Sequence, residues 1–203
     1  MRLNTGIEKG LKNVIKNVGE ARPILQCAHF ENGNVVATDS HQLIRFRNIA
    51  PKDLSFNLNL TNFYFDDGNY PEIDELIPTK FATKFEININ KAVELIPLLK
   101  SLPNDFINCT KMSVDNSKMI LENEVLDSTN INQKLNVDIE NFSGEEMSIK
   151  FNSKWLVNAL ESIKEIKKFG NVEFKLQESM LKPFLLVYEN LDYLITPMRT
   201  FRG

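Results

Sequence analysis

The 203-residue chain has few of the side chains that carry catalysis or bind metals, with only two cysteines and two histidines. Cys27 and Cys109 lack CxxC spacing, which argues against a zinc site and a disulfide framework and favours a reducing compartment. Asp39, Ser40 and His41 have the letters of a catalytic triad, but consecutive residues of an extended segment point to alternate faces. A Gly-rich phosphate loop is also missing. The sequence therefore predicts a protein that is not an enzyme and needs no metal or cofactor, and it disfavours a hydrolase.

Long hydrophobic runs and a strong charge imbalance are missing as well. No stretch of about 18 apolar residues could span a membrane, and residues 1–5 do not begin an apolar signal segment. The 24 basic and 27 acidic residues give a net charge of −3, which excludes a surface that is basic all round but allows a local basic face. With 42% hydrophobic residues the chain can fill the core of one large or two small domains. We expect a cytoplasmic protein that does not bind membranes.

Three stretches have apolar residues at helical spacing. The first is residues 6–18, the second starts at Asn90 and runs to about residue 102, and the third is capped by residues 152–153 and closed by Gly170. Pro97 is expected to kink the second helix or to end it early.

Segments with period-2 alternation predict strands between and after these helices. They are residues 24–30, 35–38, 43–47, 54–60, 84–89, 111–114, 118–121, 133–139, 147–151, 172–176, 184–188 and 193–196. A unit of strand, helix and several antiparallel strands thus begins near residues 1, 84 and 147, which is an internal structural repeat. The pattern predicts an α+β fold in which each helix packs its apolar stripe on one face of an antiparallel sheet.

A stretch rich in turn-forming residues, 65–78, separates two halves of similar pattern. We place a domain boundary near residue 80, with one domain over residues 1–80 and a second over residues 81–203.

Four segments resemble, in the same order, sequence motifs of bacterial DNA polymerase III beta sliding clamps. Residues 37–43 and 69–78 are similar to motifs of the middle domain of that family, and residues 151–160 and 193–199 to motifs of its last domain. The resemblance implies the DNA-clamp fold: a ring around duplex DNA, with helices lining the hole and sheets outside. It also implies a homo-oligomeric processivity factor that binds DNA without reading its sequence and holds a DNA polymerase or other replication proteins through a short peptide.

The chain also departs from this pattern. It lacks the first domain of the family and has a shortened middle domain, so it has three repeat units where the family has six. If a ring needs about twelve units, four copies are required instead of two. The small size and the Asn-, Lys- and Ile-rich composition suggest a phage or another mobile element as the source.

The resemblance places a peptide-binding cleft between the two predicted domains, and an apolar groove containing a methionine suits an extended peptide anchored by Leu and Phe. Ser40 and Gln42 stand where the family has Gly and Arg, and residues 200–203 extend beyond its usual end and could occupy the cleft. Without the resemblance, Pro197 and Met198 would simply end an edge strand, and residues 38–40 would form a turn in which Asp39 holds a backbone amide. The matching positions are Leu25, Thr38, Ser40, His41, Gln42, Leu43, Pro78, Leu194, Thr196, Pro197, Met198 and Arg199.

Lysines on the three helices are candidates for contacts with DNA phosphates. Lys9, Lys12 and Lys16 share one sector of the first helix opposite its apolar stripe, while the other two helices offer fewer. A solvated lysine face explains the same spacing. The full set is Lys9, Lys12, Lys16, Lys100, Lys154 and Lys168.

Two functions follow from these observations. The first is a ring that encircles duplex DNA and tethers a polymerase. The second is a clamp-derived module that no longer closes a ring and acts as a decoy, inhibitor or recruitment platform. Trp155, at the start of the third helix, is expected in the core or at the domain junction.

Overall fold

The structure, a computed structural model, describes residues 4–102, 108–123, 133–166 and 169–199. Its helices are α1 (Thr5–Ile15), the single-turn α2 (Ile73–Leu76), α3 (Ile89–Ser101) and α4 (Ser153–Ile166), and Pro23–Gln26 forms a short 3-10 turn. Its strands are β1 (Cys27–Glu31), β2 (Asn34–Thr38), β3 (Gln42–Phe46), β4 (Phe56–Asn59), β5 (Phe65–Asp66), β6 (Thr83–Asn88), β7 (Cys109–Val114), β8 (Lys118–Asn123), β9 (Lys134–Asp138), β10 (Glu140–Ser143), β11 (Met147–Asn152), β12 (Asn171–Leu176), β13 (Phe184–Tyr188) and β14 (Leu191–Ile195).

These strands form two antiparallel sheets. The larger has ten strands in the order β10-β6-β12-β13-β14-β3-β2-β1-β4-β5, and the smaller has four in the order β11-β7-β8-β9. Helix α1 packs on β2 and β3, α3 on β6 and β12, and α4 on β11 and β14. The predicted α+β class is confirmed, with helices packed against antiparallel sheets.

The second and third repeat units exchange their first strands. Strand β6, which precedes α3, pairs with β12, which follows α4, while β11, which precedes α4, pairs with β7, which follows α3. Each unit therefore completes the sheet of the other, and the two units fold as one body.

The N-terminal unit joins this body at one seam. Strand β3 pairs with β14 over five residues, which makes one continuous sheet on both sides of residue 80. On the helix side of the seam, α1 lies against α4. A Cβ atom on Gly6 would lie 3.0 Å from Cβ of Glu165, and one on Gly10 would lie 3.2 Å from Oγ of Ser162. The two glycines thus allow the close approach of the helices.

Side-chain alternation divides the core at the seam into two layers. Ile44, Phe46 and Tyr193 point toward the helices and belong to the main core. Leu43 and Leu194 point to the outer face, where they join a smaller cluster that also contains Ile73 and Ile77.

The predicted cap of the second helix, and the expected effect of its proline, need correction. Helix α3 is capped by Asn88, whose Oδ1 accepts from the amide of Asn90 (3.0 Å), so the cap lies two residues before the predicted one. The helix continues through Pro97 to Ser101, because an exposed proline ring and one missing hydrogen bond do not outweigh the buried stripe of the same helix. Helix α4 begins as predicted, with Oδ1 of Asn152 accepting from the amide of Lys154 (2.9 Å).

The short elements β5, α2 and β10 were not predicted from the sequence, and residues 24–26, predicted as part of a strand, belong to the 3-10 turn. The first two lie in the stretch interpreted as a turn-rich linker. Both are too short for hydrophobic periodicity to identify them.

Neither cysteine has the exposed, acidic thiol of a reactive cysteine. Both are buried, and burial raises the pKa of the Cys27 thiol to about 11. The described residues contain no cluster of histidine, cysteine and carboxylate side chains that could hold a metal ion. Among the same residues, no helix is long and apolar enough to cross a membrane.

Candidate functional site

An apolar groove lies on the outer face of the ten-stranded sheet, at the seam between β3 and β14. Leu43 and Leu194 are direct cross-strand partners there and form its floor. The cavity has a volume of about 300 Å³. It is lined by Thr38, Ser40, His41, Gln42, Leu43, Pro71, Leu76, Pro183, Leu194 and Thr196.

One wall of the groove is the tight turn between β2 and β3, which Asp39 organises. Oδ1 of Asp39 accepts from the amides of His41 (2.8 Å) and Gln42 (2.9 Å), so this carboxylate holds backbone rather than activating a nucleophile. Ser40 has φ +79°, a left-handed conformation that favours glycine. Its strain is partly offset by a bond from its amide to Oγ1 of Thr38 (3.1 Å), and its hydroxyl accepts from Arg22 (3.1 Å).

The opposite wall comes from residues that were not among the predicted cleft positions. Leu76 of α2 lies at the rim with 47% of its surface exposed, and Pro71 and Pro183 complete the wall. Helix α2 is linked to the sheet by Arg45, which lies 3.3 Å from Oδ1 of Asp74. A single-turn helix leaves no periodic signal, which is why its part in the groove could not be read from the sequence.

The predicted cleft residues fall into two groups. Thr38, Ser40, His41, Gln42, Leu43, Leu194 and Thr196 come together around the cavity. The lining does not include Leu25, Pro78, Pro197, Met198 or Arg199. Leu25 is buried in the 3-10 turn, and the amide of Met198 donates to the carbonyl of Lys150 (2.7 Å), which places the C-terminal segment along β11. A role for these five in binding stays a prediction.

Gln42 borders the groove, but its side chain is committed to a buried network behind it. Oε1 accepts from the hydroxyl of Tyr193 (2.6 Å) and from Nδ2 of Asn158 (3.2 Å), while Nε2 donates to Oδ2 of Asp39 (2.8 Å). Burial raises the pKa of Tyr193 well above its ordinary value, helped by the nearby carboxylates of Asp39 and Glu161, so the hydroxyl remains a donor. The network joins the turn, β14 and α4.

A second cavity of about 440 Å³ lies on the helix side of the same turn. Gln42 borders both cavities, and the ring of His41 stacks on Trp155 at the start of α4, with centroids 5.3 Å apart and planes 8° apart. Trp155 thus lies where the start of α4 meets the turn between β2 and β3. Lys16, Lys100 and Lys154 converge on this second cavity from three helices.

Three of the five predicted DNA-facing lysines that the structure describes have a carboxylate partner. Lys9 pairs with Glu165, Lys12 with Glu8 (2.7 Å) and Lys100 with Glu161 (2.6 Å). The hydrogen bond to Glu165 raises the pKa of Lys9, which stays charged but locally neutralised. Within the described part of the chain, Lys16 and Lys154 form no ion pair, and Lys168 lies outside the described residues. Sequence spacing alone could not show the pairs of Lys9 and Lys100, because Glu165 and Glu161 come from α4. Lys12 and Glu8, in contrast, are four residues apart in α1.

The chain is similar to known proteins along most of its length. Residues 74–199 match the protein-family model for the C-terminal domain of the DNA polymerase III beta subunit. The beta sliding clamp of Streptococcus pneumoniae serotype 4 is 26% identical over 230 residues, which cover 89% of this chain and 58% of that protein. That of Staphylococcus epidermidis is 28% identical over 181 residues, which cover 83% of this chain and 44% of the relative. The chain thus spans about half the length of these curated relatives.

A solved structure shows the same fold. The DNA polymerase sliding clamp from Bacillus subtilis superposes with a TM-score of 0.76 at 21% identity, covering 96% of this chain and 62% of that chain. The fold predicted for the chain, repeated strand-helix-strand units with helices packed on antiparallel sheets as in sliding clamps, is confirmed.

Proposed function

The chain belongs to the family of the DNA polymerase III beta subunit, C-terminal domain, and we propose that it is a sliding-clamp-like processivity factor. In this proposal its copies form a ring around duplex DNA. The groove between β3 and β14 binds a peptide of a DNA polymerase or another replication protein.

The groove is the observation that carries the proposal. It lies at the seam of the two predicted domains, where the resemblance places a peptide cleft, and seven of the residues predicted for that cleft line it. Its floor of two leucines offers an apolar surface, and Thr38, Ser40 and Thr196 provide hydroxyls at its sides. This combination suits an extended peptide that inserts Leu and Phe side chains.

Such a groove would bind a peptide without catalysing a reaction. Apolar anchors lose water when they enter the groove, and the few polar groups fix their direction. A cavity of this size holds only two or three side chains, so we expect a dissociation constant on the order of micromolar for a short peptide.

The most direct test uses two half-exposed leucines. Leu76→Ala removes an apolar side chain at the rim of the groove, whereas Leu98→Ala removes one on α3, which packs on the opposite, helix-covered face of the sheet. In fluorescence anisotropy with a labelled peptide anchored by Leu and Phe, we expect the first variant to bind roughly threefold to tenfold more weakly.

Leu98→Ala should bind like the wild type, because it alters similar exposed apolar surface away from the groove. Equal affinity of both variants and the wild type would show that the peptide does not use this groove. No binding by the wild type would exclude the proposed role of the groove altogether.

Contact with DNA would occur on the helix side. Helices α1, α4 and α3 lie side by side there, and their lysines would meet phosphates without reading bases. Enclosure by the ring, rather than strong contacts, would hold the protein on DNA. Three repeat units in each chain favour four copies for a ring of about twelve.

A clamp-derived module that does not close a ring is the second candidate. The glutamate partners of Lys9, Lys12 and Lys100 favour it, because they reduce the positive charge that the helices offer to DNA. Light scattering of the purified protein separates the two. A monomer at every concentration supports the module, and a discrete oligomer supports the ring.

A further inference from the structure

We propose that Tyr193 and Gln42 are positioning residues that hold the two sides of the groove in register from behind, without contacting the peptide through their polar atoms. This inference rests on the proposed function of the groove. It concerns the polar atoms of these side chains, which bond to each other and to neighbouring side chains behind the groove, where a peptide on the outer face does not reach them.

The geometry separates these two residues from the groove floor. Along β3 and β14, Leu43 and Leu194 point outward, whereas Gln42 and Tyr193 point toward α4. Tyr193 is fully buried, and Gln42 is 4% exposed. The amide of Gln42 already has a partner for each of its two polar atoms, and the donor to its oxygen at 2.6 Å is Tyr193.

The same amide fixes the turn that forms one wall of the groove. Nε2 of Gln42 and the backbone amides of His41 and Gln42 share the carboxylate of Asp39. Asp39 sets the conformation of this turn. Because Tyr193 bonds to Gln42 and Gln42 bonds to Asp39, the position of Tyr193 affects where the turn holds Ser40 and His41. Ser40 has a strained backbone at φ +79°. If the turn loses a hydrogen bond that holds it, we expect Ser40 to move toward a less strained conformation.

The turn is also tied to β14 by the backbone. The carbonyl of His41 accepts from both the amide and the hydroxyl of Thr196 at 2.9 Å. Thr196 lines the groove, so the turn and β14 share one hydrogen-bonded frame behind the groove surface. Loss of the Tyr193 hydroxyl removes the shortest of the side-chain hydrogen bonds that Gln42 makes, the one that its Oε1 accepts.

The fluorescence of Trp155 can report the position of the turn. A change at Tyr193 that only lowers the stability of the protein would leave this emission unchanged. Trp155 is the single tryptophan of the chain, and its ring stacks on His41. Its emission therefore depends on where the turn holds the imidazole, even when no peptide is bound.

Tyr193→Phe removes one hydroxyl and keeps the packed ring. We expect this variant to bind the labelled Leu- and Phe-anchored peptide roughly threefold to tenfold more weakly than the wild type, with a changed Trp155 emission spectrum. The matched control is Tyr188→Phe. Tyr188 is also buried on the helix side, but its hydroxyl donates to the carbonyl of Phe169 (3.4 Å), away from the groove. The control should lose comparable stability and change neither readout.

Gln42→Leu provides the second variant. If both residues act through one network, Tyr193→Phe should add little to the loss caused by Gln42→Leu, so the two effects are not additive. Wild-type affinity and unchanged Trp155 emission in folded Tyr193→Phe would overturn the inference. If the wild type itself does not bind the peptide, the proposed function fails, and the Trp155 emission alone decides whether Tyr193 positions the turn.

Discussion

Asp192 is the most consequential charged residue at the seam, because it is buried and faces two arginines. Its Oδ2 lies 2.7 Å from a terminal nitrogen of Arg45 and 3.3 Å from Nε of Arg47. Arg45 comes from the N-terminal unit and Asp192 from the C-terminal one, so the ion pair crosses the β3–β14 junction. Nε of Arg47 is buried without a hydrogen bond of good geometry, which makes this site dependent on the aspartate charge.

Asp192→Asn should therefore destabilise the protein strongly. The change keeps the shape of the side chain but removes the buried charge that Arg45 and Arg47 share. Arg45 keeps the exposed Asp74 as a partner, and 37% of the Arg47 side chain is exposed, so solvent screens part of the loss. We expect a loss of about 2 kcal/mol in the free energy of unfolding. Denaturant titration followed by circular dichroism measures it.

Asp74→Asn is the matched control, since Asp74 contacts the same Arg45 from a side chain that is 86% exposed. Its effect should stay below about 0.5 kcal/mol. Similar losses for both aspartates would contradict the importance of the buried pair.

For individual residues, the sequence predicted which side chains line the groove better than it predicted what each side chain does there. Thr38, His41 and Leu194 could be placed at the site because short motifs carry them. The inward direction of the Gln42 amide could not be predicted, because Tyr193 and Asn158 are distant in sequence and meet only in the folded sheet and helix.

At the scale of elements, the contact between α1 and α4 decides how the N-terminal unit sits on the rest. The backbone of α1 comes close to α4 only because Gly6 and Gly10 face it. Lys9 and Glu165 then pair across the same contact. Close packing of α1 on α4 therefore depends more on the two glycines than on the ion pair between Lys9 and Glu165.

Gly6→Val should separate the two helices. Its Cβ would meet Cβ and the carbonyl oxygen of Glu165 at 3.0 and 3.1 Å, and backbone cannot move aside cheaply. We expect a loss of about 1–3 kcal/mol in the free energy of unfolding, measured by thermal or denaturant unfolding.

Gly19→Val tests whether the effect is steric. A Cβ at Gly19 meets no atom within 4 Å, so this variant should remain within about 0.5 kcal/mol of the wild type. An equal loss at both positions would point to backbone flexibility instead of helix packing.

The elements themselves could be predicted where their periodicity is strong. Strand β13 was predicted with the observed limits, and the apolar stripes of α1 and α4 indicated their buried faces. The exchange of β6 and β11 between repeat units could not be predicted, because it depends on which strands meet in space and leaves no local pattern.

For the whole molecule, the charge on the helix side determines how firmly DNA would be held. Lys16 and Lys154 lie at the rim of the helix-side cavity, whereas Lys9 and Lys12 are paired with glutamates. Within the described residues Lys16 and Lys154 form no ion pair, so their charges can attract a phosphate more strongly than the paired charges of Lys9 and Lys12.

The combined change Lys16→Ala and Lys154→Ala should therefore weaken DNA binding more than the combined change Lys9→Ala and Lys12→Ala. Each lysine that meets a phosphate contributes up to about 0.9 to the slope of the logarithm of affinity against the logarithm of salt concentration. Binding of duplex DNA at several salt concentrations compares the two double variants. A larger loss of slope for Lys9 and Lys12 would reverse the assignment of the DNA-facing charge.

In the proposed function, the protein links a replication peptide to DNA that it encloses, and retention on circular DNA can be measured. The protein is mixed while dilute with nicked circular duplex DNA and then concentrated, so that copies can assemble around the DNA. The labelled Leu- and Phe-anchored peptide is added, and the mixture is separated by size. We expect the peptide to elute with the circular DNA only when the protein is present, and we expect both to be released when the circle is cut. A protein that binds the peptide but never carries it onto the circle, or carries it equally onto linear DNA, would show that it does not act as a clamp.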